Sequence, residues 1–260
     1  MKFKNVLLVS AMVLTSLSIS KVNAKQIADE KCYNYYSKDE INYILEQSDP
    51  KDLDLTCKNG TIFTDEKLYK DEHLNEDIPA PYYFTTTLDV PTYQQEKNYY
   101  CGYASTKEVI QFITGSSKSQ SQYASEMGTS GSSAVVYKIR NLLNKYVSAP
   151  KYSYTLGTNY SLESFKNLVQ NNINNKRPII MHAKANSLPL YKNASSNVWH
   201  YYVINGYSVS AEGNAKYIMY VDSFKANYGS GSTLGRHDAP VSDVLKTVQV
   251  SGKSRYIIHS

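Results

Sequence analysis

Three residues set far apart in the chain have side chains that could do nucleophilic chemistry together: Cys101, His200 and Asp222. A cysteine attacks a carbonyl carbon as its thiolate, so it needs a base within hydrogen-bond reach, and that base needs an orienting partner. Cys101 suits the part if it opens a helix. The unpaired N–H groups of a first turn and the positive end of the helix dipole both favour thiolate over thiol. A plainer reading, a small buried residue packing a helix start, fits the same stretch equally well. Five histidines are available as the base. His73 lies in an acidic segment, His237 in a Gly/Ser-rich loop beside Asp238, and His259 one residue from the end. His182 sits inside an apolar run and reads as a core histidine. His200 opens a strand after a polar loop, which puts it at a sheet end facing a cleft. Asp222 closes the next strand. If the two strands pair as a hairpin, its carboxylate lies beside His200, holds the imidazole and favours its cation. An imidazolium beside Cys101 lowers the thiol pKa further. Gln95, six residues before the cysteine, could offer its amide to a developing oxyanion together with the Cys101 backbone N–H. Gln94 is an alternative, and a solvated loop amide is the plain reading of either.

The elements that must position these groups follow from periodicity. Ala104, Val109, Ile110, Phe112 and Ile113 form an apolar stripe at helical spacing after Cys101, and Gly115 supplies a stop. Residues 134–146 and 161–174 repeat that pattern, the second with Ser161 as a cap. Between the first two helices, residues 116–133 are rich in Ser and Gly and read as a loop bordering a cleft. That loop has no G-x-S-x-G, so a serine elbow is not supported. Residues 179–183, 199–207, 216–224, 244–250 and 255–259 read as strands. Helices followed by an antiparallel region make an α+β fold. No internal repeat is visible.

The first 24 residues read as a secretory signal: Lys2 and Lys4 in a basic start, an apolar stretch from Val6 to Ile19, and a small-residue cleavage pattern ending at Ala24. The apolar stretch is too short for a membrane span and none longer follows, so the mature protein is expected to be secreted and free of the membrane. Cys32 and Cys57 are the expected disulfide in an oxidising compartment, leaving Cys101 free. Closing that loop contributes about 3–4 kcal/mol in the chain-entropy account. Residues 25–80 hold 7 lysines against 14 acidic residues, whereas 81–260 hold 18 basic against 9 acidic. The change falls at a proline-rich stretch near residue 80, so an acidic N-terminal segment precedes a basic main domain of residues 81–260. The acidic segment is either a solvated appendage or a pro-region that docks on the basic domain by opposite charge. The basicity is too diffuse for nucleic-acid binding. The Lys-, Asn- and Tyr-rich composition has a bacterial look.

Three blocks together resemble a known family. Gln-x5-Cys-Gly-x-Ala-Ser at 95–105, His-Tyr-Tyr-Val-Ile-Asn-Gly-Tyr at 200–207 and Tyr-Val-Asp-Ser at 220–223 are similar to the bacterial double-glycine (bacteriocin-leader) peptidase-like family of the papain-like superfamily. The passage at 161–180 also resembles the segment before that family's central strands, so the likeness spans about residues 88 to 223. It implies a papain-like fold, with Cys101 as nucleophile, His200 as base, Asp222 as orienter and Gln95 at the oxyanion hole, acting on a peptide or protein substrate without metal or cofactor. Tyr103 replaces the proline usual after Cys-Gly, and Ser223 stands where a proline often follows the aspartate. The same triad would also serve an acyltransferase, a transglutaminase or a deamidase, and the fold alone would serve a binding module.

Overall fold

The computed structural model describes residues 46–47, 84–209, 215–250 and 255–260. The signal segment, the acidic segment with its boundary near residue 80, His73 and the Cys32–Cys57 pair lie outside them.

The sheet is built around β4 (Trp199–Val209), in which every residue from His200 to Ser208 is buried. A strand buried on both faces needs an apolar run rather than an apolar–polar alternation, and β4 has one from Tyr201 to Ile204. Along one edge it pairs first with β3 (Ile179–Lys184), then with β1 (Phe84–Thr87), which takes over where β3 ends. Its other edge carries β5 (Ala215–Asp222). Outside these lie β6 (Gly235–Pro240) on β5, then β7 (Tyr256–His259) on β3 and β2 (Ser153–Leu156) on β7. All pairings are antiparallel.

Adjacent strand residues point to opposite faces, and in β4 both are covered. The Tyr201 hydroxyl donates to Ala134 O at 3.3 Å, next to α3 (Val136–Tyr146), while Tyr202 meets the Thr247 hydroxyl at 2.9 Å, just past α5 (Val241–Lys246). The cysteine helix α1 (Cys101–Thr114) packs on β4 and on α3, and α4 (Leu162–Asn174) packs on β4 and α5. Ser161 caps α4 through Ser164 N–H, and Gly115 ends α1 in the left-handed conformation. The fold is α+β, with a helix that carries the cysteine laid on an antiparallel sheet, the arrangement expected of a papain-like domain. No helix among the described residues is long and apolar enough to cross a membrane.

Three local expectations are corrected. The 116–133 stretch contains a helix, α2 (Gln120–Glu126), nucleated by a capping box in which Ser119 and Gln122 exchange bonds. Residues 244–250 are not a strand. Val241, Val244, Leu245 and Val248 are buried at helical spacing, and the chain forms α5 and a turn. His237 lies in β6, not in a loop.

Candidate active site

Cys101 is the first residue of α1 and 8 % exposed. Ala104 is the first residue there whose N–H finds an α-helical acceptor, Tyr100 O at 2.9 Å. The Cys101, Gly102 and Tyr103 N–H groups therefore point out of the helix start beside the sulfur. Gly102 lets the helix come this close to the sheet: a Cβ there would stand 2.7 Å from the Ala134 side chain and 3.2 Å from the Tyr201 ring.

His200 and Asp222 meet because of strand register. Val203 pairs with Val221, so Asp222, one step further along β5, stands beside the beginning of β4. Asp222 Oδ1 lies 2.7 Å from His200 Nε2, and both side chains are buried, 0 % and 3 % exposed. The carboxylate has two further donors, Phe224 N–H to Oδ1 at 2.8 Å and the buried Tyr191 hydroxyl to Oδ2 at 2.7 Å. With Nε2 on the aspartate, the imidazole's other nitrogen is left for Cys101, whose sulfur also favours the charged ring. Burial disfavours a charge on His200, but the Asp222 carboxylate and then the Cys101 sulfur outweigh it, and the imidazole pKa is pushed up to about 10. At neutral pH the histidine is thus a cation held between a carboxylate and a sulfur.

The other described histidines are elsewhere. His182 is buried in β3, stacked on Tyr201 with ring centroids 4.3 Å apart, and burial, with Arg255 adding to it, pushes its pKa well below the usual value. His237 Nε2 sits 2.8 Å from Thr233 O, and His259 Nε2 sits 3.2 Å from the Thr155 hydroxyl.

Gln95 is buried at 8 % exposure, whereas the Gln94 side chain is exposed. Gln95 Nε2 donates to Lys97 O at 2.9 Å, which leaves its second amide hydrogen for another acceptor. Its backbone N–H donates to Ser223 O at 2.8 Å, tying the residue to the end of β5 next to Asp222. Two buried side chains outside the sequence expectations hold the same segment. Gln120 of α2 spans Gln95 on both sides, donating from Nε2 to Gln94 O at 2.9 Å and accepting Glu96 N–H on Oε1 at 3.0 Å. Glu108, two turns along α1 from Cys101, accepts Tyr93 N–H at 3.0 Å. Burial pushes the Glu108 carboxyl well above its usual pKa, against the Tyr93 N–H, so its neutral form is favoured.

The model of the Peptidase_C39 like family matches residues 87–234, which runs from the end of β1 to the start of β6 and includes all four of these positions. The chain belongs to that family. It is a cysteine peptidase by class, and the one cysteine the match contains is Cys101. No curated protein sequence matches the chain. Among solved structures, similar chains include a double glycine motif protease from an AMS/PCAT transporter in complex with its leader peptide (17 % identity, 67 % of this chain and 94 % of that one, TM-score 0.41). Others are the bromelain protease of Ananas comosus (13 %, 66 % and 96 %, 0.39) and xylellain, a cysteine protease of Xylella fastidiosa (12 %, 68 % and 85 %, 0.39).

Proposed function

We propose that this member of the family is a secreted peptidase that cleaves peptide bonds through Cys101, His200 and Asp222. The observation that carries the reading is the buried His200 imidazole, held by Asp222 through Nε2 at 2.7 Å so that its other nitrogen is left for Cys101. The Cys101 thiolate adds to the substrate carbonyl carbon. The oxyanion that forms is met by the Cys101 backbone N–H and the free amide hydrogen of Gln95. His200 gives its proton to the leaving nitrogen as the C–N bond breaks, leaving a thioester and a free amine. Neutral His200 then takes a proton from water as it attacks the thioester, which releases the carboxylic acid and restores the ion pair. Asp222 keeps the imidazole oriented and charged through both halves.

The N-terminal 24 residues support secretion, and the charge contrast between 25–80 and the main domain supports docking of the acidic segment as a pro-region. A chain beginning at residue 81 checks the docking. Activity with the full-length salt dependence would sink it.

The test of the site is alkylation. Iodoacetamide is expected to modify Cys101 well below pH 8, and His200→Ala to slow that modification sharply. An unreactive thiol, or a rate indifferent to His200, refutes the triad. Products formed from a peptide library with and without added amine separate hydrolysis from acyl transfer.

A further inference from the structure

The segment that delivers Gln95 to Cys101 has no regular secondary structure between Leu88 and Tyr100, so something else must fix it. A loop amide that is to meet a transient oxyanion must already be in place, because a displacement of ~1 Å costs about 10²-fold in rate. Among the described residues, the only amide-bearing side chain in contact with the backbone on both sides of Gln95 is Gln120, which is 2 % exposed. It acts as an extra peptide group would, giving one bond to the residue before Gln95 and taking one from the residue after. The Ser223 carbonyl takes the N–H of Gln95 itself, and Glu108 takes that of Tyr93 two residues earlier. Tethers from the end of β5, α1 and α2 thus converge on one short stretch of chain, and Gln120 holds the two residues that flank Gln95.

We propose that Gln120 is a positioning residue for the reaction, acting through Gln95 rather than on the substrate: its buried amide sets where the Gln95 side chain stands relative to the N-terminus of α1. The proposal rests on the reading of Cys101, His200 and Gln95 given above. It extends that reading to a residue on a different helix and outside every motif.

Two variants test it, each followed by peptide turnover and by iodoacetamide alkylation of Cys101. Alkylation needs the thiolate and His200 but no oxyanion site, so it reports the ion pair alone. Gln120→Leu keeps the volume and removes both bonds. It is expected to lower kcat by about 10- to 100-fold, with KM and the alkylation rate within about two-fold of wild type. Gln120→Glu gives a pH signature. A protonated carboxyl can still donate to Gln94 O and accept from Glu96 N–H, whereas a carboxylate can only accept. Burial raises that carboxyl's pKa, so the variant should work at low pH and lose kcat as pH rises, across a range where wild type does not. Turnover by Gln120→Leu equal to wild type overturns the proposal. So does a parallel fall in alkylation, which would mark a general loss of structure, and so does a Gln120→Glu profile that follows wild type. A wild-type chain that alkylates at Cys101 yet forms no acyl-enzyme with any peptide overturns the underlying reading, and the proposal with it.

Discussion

Replacing Asp222 by Asn removes one charge from the site while leaving its geometry available. An asparagine carbonyl oxygen can accept from His200 Nε2 and Phe224 N–H as Oδ1 does now, and its NH₂ can donate to the Tyr191 hydroxyl, which then turns from donor to acceptor. What is lost is the Coulombic hold on the imidazolium. His200 stands at about 10 because that hold and the Cys101 contact exceed the effect of burial. Without the carboxylate, burial remains as the largest influence, and the imidazole pKa falls to about 6.5 or below. At pH 8 the wild-type histidine is then about 99 % protonated and the variant's about 3 %. If turnover requires the imidazolium, kcat/KM at pH 8 drops by about 30-fold or more, within the range general acid–base groups contribute. The sign is fixed. A raised pKa keeps the cation up to about pH 10, so the wild-type alkaline limb lies there and the variant's moves down through neutrality, while the two rates converge below pH 6. The assay is kcat/KM on the best peptide of a quenched-fluorescence library from pH 5 to 10.5, with Asp222→Ala as a second arm that removes the acceptors too. A pH-independent loss in Asp222→Asn would refute the ion-pair argument, as would an alkaline limb still near 10.

Tyr191→Phe strips one donor from a wholly buried carboxylate oxygen. Urea denaturation should show a loss of about 1–3 kcal/mol, and an unchanged midpoint would mean that Oδ2 finds another donor. Gln95→Ala should lower kcat by about 10²–10³-fold, the usual cost of one oxyanion donor, while Cys101 alkylation continues at the wild-type rate. Gln94→Ala, an exposed position, should do neither, and the reverse result would transfer the role to Gln94. Gly206→Ala places a Cβ 2.6 Å from Thr86 O and 3.1 Å from Thr87 Cα, so β1 must move. That overpacking should cost about 1–3 kcal/mol and several degrees of Tm by calorimetry, and a neutral substitution would show that β1 yields freely.

How much of this is legible in the chain depends on the range of the interaction. Cys101 is visible because a helix start is a local pattern. His200 and Asp222 are visible because they sit at the ends of two consecutive apolar runs that a hairpin brings together. The two glycines of the family blocks also have local signals, although their reasons are distant: Gly102 clears Ala134 and Tyr201, and Gly206 clears β1. Tyr191 carries no signal, since it lies in a short 3₁₀ turn far from Asp222 in sequence. Glu108 does carry one: it is a carboxylic acid directly before Val109 and Ile110, on a helix face that is buried from Cys101 onward. An acid there must be neutral or partnered. Gln120 carries no signal while residues 116–133 read as a polar loop. The Ser119–Gln122 capping box marks a helix there, and a helix gives the first glutamine after the cap a fixed direction.

The spacing Gln-x5-Cys then has a structural meaning. The chain leaves Ser223 O at Gln95, turns through the Tyr100 N–H to Lys97 O bond at 2.9 Å, and enters α1 at Cys101. Gln95 Nε2 donates to that same Lys97 carbonyl, so the turn that launches the helix also orients the amide. A residue more or fewer between Gln95 and Cys101 would break either this shared acceptor or the Ser223 tether. The tether lies one residue from Asp222, so Gln95 and the His200–Asp222 pair are fixed to the same end of β5. The sheet therefore aligns both groups: it holds His200 and Asp222 directly, and it holds Gln95 through one backbone bond with Gln120 closing around it.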